Sequence, residues 1–362
     1  MSLDTGELPE KITTALDQGG LTYVNGSEPG ITRKRAGKSF SYRHPDGGLI
    51  KDAETLARIR KLAIPPAYTD VWICADPRGH IQATGRDVKG RKQYRYHPDW
   101  GEARGETKYH RAIEFARALP NLRDKIERDL SKPGLSHDKV TATVVRLLEL
   151  TLIRVGNSEY AKQNKSFGLT TLRDRHVKVD GGEIRFKFKG KSGVEHETGL
   201  KDRRLARIVK AAQEVPGQHL FQWVDRGGER HEIGSADVNA YLRDAIGEDF
   251  SAKDFRTWAG TVAAAQALLG HESPKTATEA KRTLTACAKA VAGRLGNTPA
   301  VCRKAYIHPA VFEAYTDGML AQELRVDDPN DLLAFETALA DFLVRMEGRS
   351  DTRSPEAQAE AV

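Results

Sequence analysis

The chain has 362 residues; 57 are Lys or Arg, 50 are Asp or Glu, the formal charge is +7, and 39% are hydrophobic. At this length that apolar fraction suffices for buried cores in two or three domains and excludes a chain disordered throughout. A mean hydropathy of −0.55 and the lack of any apolar run near the roughly 20 residues of a membrane helix exclude an integral membrane protein.

The opening MSLDTGELPEKITTALDQGG has acids and no apolar stretch, so it does not read as a secretory signal. The first hundred residues read as mostly β. HPDGG (44–48) and DPRGH (76–80) are turn signals, and VWICA (71–75) and HIQATG (80–85) alternate like the two arms of a hairpin. Asp52 is placed to cap a helix over 53–63 that Pro65-Pro66 stops. From about Gly105 the pattern turns helical, with a break expected at Pro120. Ser136 then caps a long helix expected to end near Gly156. Residues 168–200 read as three short strands, turned at Asp180-Gly181-Gly182 and at Gly190-Lys191-Ser192-Gly193. Helices follow over 201–215, 254–269 and 279–295. A last amphipathic helix is introduced by Pro329-Asn330, and RSDTRSPEAQAEAV reads as a disordered tail. The expected division is 1–104, 105–347 and a tail, 348–362. Cys74, Cys287 and Cys302 have no metal-ligand spacing and read as inert thiols of a reducing cytoplasm.

Charge is unevenly spread. Ile31–Pro45 holds five basic residues and no acid, Arg86–Tyr96 five against Asp87, and Lys275–Tyr306 seven against Glu279. From Glu313 to the end there are twelve acids and four arginines, a net of −8, which leaves +15 on the rest. Three basic runs interleaved with aromatics point to nucleic acid. The acidic end would temper nonspecific retention on it.

There is no GxxxxGK[ST], HExxH, EF-hand loop or GxSxG, so no nucleotide, metal or serine-hydrolase chemistry is expected. Instead, Arg154, Lys191, Arg256, Asn297 and Tyr306 follow one another along the chain. This order resembles the active-site set of the small, poxvirus-like type IB DNA topoisomerases in the form found in bacteria. FSYRHPDG (40–47), LAIPPAYTDVWIC (62–74), QYRYHP (93–98), GLTTLRDRHV (168–177), DFRTWAGT (254–261) and NTPAVCRKAYIHP (297–309) extend the resemblance from about Gly20 to Gly318.

The resemblance implies an α+β protein with the DNA breaking-rejoining enzyme fold. A small antiparallel-sheet N-terminal domain and a mostly α catalytic domain with a three-stranded sheet would form a C-shaped clamp on duplex DNA. It implies a cytoplasmic, nucleoid-associated monomer that needs no cofactor, nucleotide, metal or membrane. Tyr306 would be the nucleophile, Arg154 and Arg256 would neutralise the nonbridging oxygens, and Lys191 would protonate the leaving 5′ oxygen. These roles match what an in-line phosphodiester displacement requires. Asn297 departs from the family's usual histidine. Its amide can donate a hydrogen bond but cannot carry charge; the plain alternative is a helix cap before Thr298-Pro299. Gln93, Tyr94 and Tyr96 resemble groove and backbone contacts, Tyr160 a phosphate contact, and Lys189 and Arg303 phosphate-positioning residues. His176 and His196 read as structural. Leu269-Gly270-His271 looks like an element of the tyrosine recombinases, but Ala280 stands where their tyrosine belongs, and Lys253 stands where they usually carry histidine. A recombinase and a non-catalytic DNA clamp are the alternatives.

Overall fold

The computed structural model describes Leu16 and residues 20–351, apart from Lys38, Lys89, residues 248–249, Asp327 and residues 329–330. Two of the run-forming lysines, the Pro329-Asn330 lead-in and most of the expected tail therefore lie outside the described residues. The chain forms two compact units, Met1–Arg111 and Ala112–Val362.

The first unit is a five-stranded antiparallel sheet of order β2-β1-β3-β4-β5, with one helix between its second and third strands. The strands are β1 (Ile31–Ala36), β2 (Ser39–Arg43), β3 (Thr69–Ile73), β4 (Ile81–Arg86) and β5 (Lys92–Tyr96), and the helix is α1 (Ala53–Lys61). The 71–85 hairpin forms as its alternation predicts, with Ile73 opposite Ala83. The Asp52 carboxylate caps α1, accepting from the N–H groups of Glu54 (3.1 Å) and Thr55 (2.9 Å). Ile31, Ile50, Ile59, Ile73 and Ala83 make the core. Part of the first basic run is structural. Arg33 donates to the carbonyls of Ile64, Pro65 and Tyr68 and lies over the Phe40 ring, so it ties β1 to the chain leaving α1.

Helix α2 (Pro98–Leu130) starts earlier than its periodicity suggests and passes through Pro120 without the expected break. A proline in a helix interior costs about 3 kcal/mol. Phe115, Leu119, Leu122 and Ile126, on both sides of it, are all fully buried in one core. At about 1.5–3 kcal/mol each, that burial outweighs the lost hydrogen bond. Ser136 caps α3 (His137–Thr151), its Oγ accepting from the Lys139 N–H. This helix ends five residues before Gly156, because Leu152 takes the left-handed conformation (φ 56°) and its N–H closes on the Leu148 carbonyl. A short helix, α4 (Ser158–Asn164), and two 3₁₀ turns (Leu169–Thr171 and Asp174–His176) come next. The antiparallel sheet β6 (Val177–Asp180), β7 (Glu183–Lys189), β8 (Glu195–Lys201) has both expected turns, and Ile184, Phe186 and Phe188 alternate into the core.

Helix α5 (Arg203–Gln213), a hairpin of β9 (Gln222–Val224) and β10 (Arg230–Glu232), and α6 (Ser235–Ile246) lead to α7 (Ala252–Leu269) and α8 (Ala277–Leu295). Three short helices, α9 (Pro299–Ala305), α10 (Pro309–Thr316) and α11 (Leu320–Glu323), precede α12 (Leu332–Asp351). Among the described residues no helix is long and apolar enough to cross a membrane. The mixed fold expected from the resemblance is observed: an antiparallel β unit, then a mostly helical unit carrying a three-stranded sheet.

Candidate active site

The second unit brings together residues that are up to 152 positions apart in sequence. Helices α3 and α8 both stop at one place, and each leaves carbonyls that have no partner within the helix. Arg256, on α7 and only 5% exposed, satisfies both ends. Its Nη1 donates to the carbonyl of Leu152, the cap of α3, and its Nη2 to that of Leu295, the last residue of α8, at 2.6 Å. A cation suits two helix C-termini, where the aligned peptide dipoles place partial negative charge. Two of the five guanidinium N–H groups are used in this way. Nε is buried, with no hydrogen-bond partner among the described residues. The guanidinium carbon sits 5.2 Å from the centre of the Tyr306 ring.

Arg154 lies in the segment that follows the left-handed Leu152, and not in the last turn of α3. Its backbone carbonyl accepts from Leu169 N–H (2.9 Å), so the 168–171 turn holds it. Its Nη2 donates to Asn297 Oδ1 at 2.6 Å. Burial, with Arg256 nearby, lowers the Arg154 pKa from its ordinary value, but a guanidinium remains charged. Asn297 follows Gly296, the left-handed cap of α8. While Oδ1 holds Arg154, Nδ2 is buried with no partner among the described residues. The capping alternative is corrected here. Thr298 is the cap of α9, its Oγ1 accepting from Val301 N–H, and Pro299 occupies the first turn.

Tyr306 ends α9, half-buried, with its N–H on the Cys302 carbonyl (2.9 Å). The next turn is seated on α7: His308 N–H donates to Thr261 Oγ1 at 3.1 Å. A Cβ on Gly260 would stand 2.3 Å from the Tyr306 carbonyl oxygen, so only glycine permits this approach. Lys191 is exposed, in the 3₁₀ turn Lys191–Gly193 between β7 and β8. It borders a cavity of about 290 Å³ that Arg154, Arg256, Leu295 and Gly296 also line. A larger cleft of about 730 Å³, lined by Lys162, Arg173 and Arg230 among others, holds none of the five residues.

His196, expected to be structural, lines the same cavity as Arg154, Lys191 and Arg256, a placement that nothing in its local sequence announces. Burial, and then the charges of Arg154 and Arg256, lower its pKa, which favours a neutral ring. His176 is buried, accepts from Arg173 N–H and packs on Phe167, as a structural residue does. His271 follows the end of α7 and is exposed.

The remaining candidates are scattered. Tyr94 and Tyr96 are exposed on β5 with their rings stacked 6.0 Å apart. Gln93, by strand alternation, points to the other side, where its amide donates to Asp87. Tyr160 is half-buried on α4, and its N–H is taken by the Asn157 cap. Lys189 ends β7, exposed, and Arg303 on α9 lies over Phe312. Among the described residues, one group has ligand-like geometry, Asp225, Glu229 and His231. Its Asp225 carboxylate already bonds His231 and the N–H groups of Gly227 and Glu229. All three cysteines are buried free thiols.

Two family models match the chain. The catalytic core of eukaryotic DNA topoisomerase I matches residues 93–329, and the N-terminal domain of bacterial DNA topoisomerase IB matches residues 39–87. DNA topoisomerase 1B of Acanthamoeba polyphaga mimivirus is 33% identical over 312 residues, 84% of this chain and 93% of that protein. DNA topoisomerase 1B of vaccinia virus (strain Copenhagen) is 23% identical over 288 residues, covering 78% and 88%. DNA topoisomerase 1 of Mycosarcoma maydis is 25% identical over 171 residues, 41% of this chain and 17% of that one.

Proposed function

The chain belongs to the type IB DNA topoisomerases, and from that premise we propose that it relaxes supercoiled duplex DNA through a transient 3′-phosphotyrosine at Tyr306, without ATP or metal. The Tyr306 hydroxyl gives up its proton to solvent as its oxygen attacks the scissile phosphorus, and the bond to the 5′ oxygen of the downstream strand breaks. Lys191 gives the departing oxygen its proton. The freed 5′-hydroxyl end turns about the intact strand, then attacks the phosphotyrosine and expels Tyr306. The phosphotyrosine bond conserves the energy of the cleaved one, so closure needs no second energy source.

The observation that carries this reading is the junction of Arg154, Arg256, Asn297 and Tyr306. Two guanidinium groups converge there, one of them against the tyrosine ring. Arg256 keeps three N–H groups beyond its two carbonyl bonds, and the Asn297 amide keeps its NH₂. Such donors can meet the nonbridging oxygens as charge develops on them. Lys191 is exposed and borders the cavity that Arg154 and Arg256 line, which supports its role as the acid. On the same reading residues 1–104 are a DNA-binding domain whose edge strand β5 contacts duplex DNA through Tyr94 and Tyr96 on one face and Gln93 on the other. Tyr160, Lys189 and Arg303 touch phosphates, and the enzyme works as a monomer on the nucleoid.

The test is relaxation of supercoiled plasmid in EDTA without ATP. The parent is expected to relax the plasmid fully and Tyr306→Phe not at all. A parent that is inactive under these conditions contradicts the cycle, and an active Tyr306→Phe contradicts the nucleophile.

A further inference from the structure

Two glycines, each immediately before a residue of the proposed active site, press on the same side chain. A Cβ on Gly190, before Lys191, would lie 2.4 Å from Cδ2 and 2.6 Å from Nε2 of His196. A Cβ on Gly296, before Asn297, would lie 2.4 Å from Cε1 of the same ring. Real Cβ atoms do not come so close, so both backbones reach the imidazole only because they carry no side chain. The ring is also stacked on buried Phe188, with centroids 5.3 Å apart and planes 11° from parallel. Phe188 and His196 face each other across β7 and β8, the two strands that the Lys191 turn connects.

We propose that His196 is a positioning residue: its ring is the wedge that sets the Lys191 turn against the end of α8, and so fixes where the Lys191 ammonium stands relative to Arg154 and Arg256. The inference rests on reading Lys191 as the acid that protonates the leaving oxygen. Lys191, itself exposed, sits on a turn of three residues, which by itself leaves its position loosely specified. Contact of Gly190 with a ring that also touches Gly296 connects that turn to the loop carrying Asn297. The depressed pKa agrees with a neutral spacer that adds no third cation between two arginines.

The role predicts a particular kinetic signature. A misplacement of about 1 Å at a reacting group can cost about 10² in rate. We expect His196→Ala to slow single-turnover cleavage of a duplex substrate by about 10²-fold. Noncovalent DNA affinity should stay at the parental value, while loss of the packed ring should lower the melting temperature by no more than about 5–10 °C. His196→Gln keeps a planar group of similar volume and should cleave within about threefold of the parent, a difference small against a 10² positioning effect. Should the alanine variant not fold, His196→Val, a better strand former, takes its place.

The deciding arm uses a substrate with sulfur in place of the bridging 5′ oxygen. A thiol of pKa near 8.5 leaves as thiolate and needs no proton. Cleavage by both His196→Ala and Lys191→Ala should then return to near the parental rate. A parental rate for His196→Ala on the oxygen substrate overturns the proposal. So does a His196→Gln variant as slow as His196→Ala, because the nitrogens and not the wedge would then matter. Restoration of Lys191→Ala but not of His196→Ala also overturns it, since His196 would act on something other than the acid. If Lys191→Ala itself is not restored, the acid assignment falls and the inference falls with it, a result distinct from failure at His196 alone.

Discussion

Under the proposed function Arg256 would use one guanidinium for two purposes, and this limits what its removal can reveal. Loss of the side chain strips a partner from the carbonyls of Leu152 and Leu295, at a cost of about 1–3 kcal/mol for each buried group left unpaired. Any kinetic effect of that loss is mixed with collapse of the junction between α3 and α8. Asn297 is the cleaner probe because its two polar atoms are divided: Oδ1 holds Arg154, and Nδ2 has no protein partner among the described residues. If Nδ2 is a transition-state donor, Asn297→Ala should slow cleavage by about 10²–10³. Asn297→Asp keeps the tie to Arg154, loses the donor and adds negative charge where phosphate must sit, so it should be at least as slow. Single-turnover cleavage rates decide the matter. An Asn297→Asp variant that cleaves at the parental rate would reduce Asn297 to a support for Arg154.

At the scale of elements, the last helix is integral to the fold. Glu336 on α12 takes Arg123 of α2 at 2.7 Å and Trp258 Nε1 of α7 at 3.0 Å, while Arg123 also pairs with Glu149 of α3. Phe335, Leu339, Phe342 and Leu343 of the same helix are fully buried. Arg123 keeps Glu149 when Glu336 is lost, but buried Trp258 Nε1 is left unpaired at a cost of about 1–3 kcal/mol, so Glu336→Ala should lower the urea midpoint by that equivalent without changing its slope. An unshifted midpoint would show the pair to be dispensable. A deletion of the acidic end therefore unfolds core instead of testing electrostatic retention, as α12 carries both charge and packing. The caps at Asp52 and Ser136 and the turns at 181 and 190 were legible in sequence, because each is set by chemistry within four residues. The end of α3 was not. Leu152 is left-handed without being glycine, and its carbonyl is satisfied by Arg256, 104 residues away. Nor was the continuity of α2 through Pro120 legible, since it depends on core partners that no local pattern announces.

For the whole molecule, the net charge of +7 conceals a basic body of +15 and an acidic end of −8. Even the basic part is not all available to DNA, since Arg33 and Arg58 are turned inward onto carbonyls and a glutamine. The identities and order of Arg154, Lys191, Arg256, Asn297 and Tyr306 were readable because the motifs are contiguous. Their assembly was not, because it depends on two helix ends meeting at one arginine. The placement of His196 was hidden for the same reason: Gly190 and Gly296 meet at its ring from 106 residues apart. The central claim is that Tyr306 becomes covalently joined to a DNA 3′ phosphate. It is tested most directly by trapping the enzyme on a duplex whose short downstream strand diffuses away after cleavage, then digesting the adduct and mapping the modified peptide by mass spectrometry. The account predicts a single adduct on Tyr306, linked to the 3′ end, with a free 5′ hydroxyl on the released strand. An adduct at another residue, or linkage to the 5′ end, would contradict it.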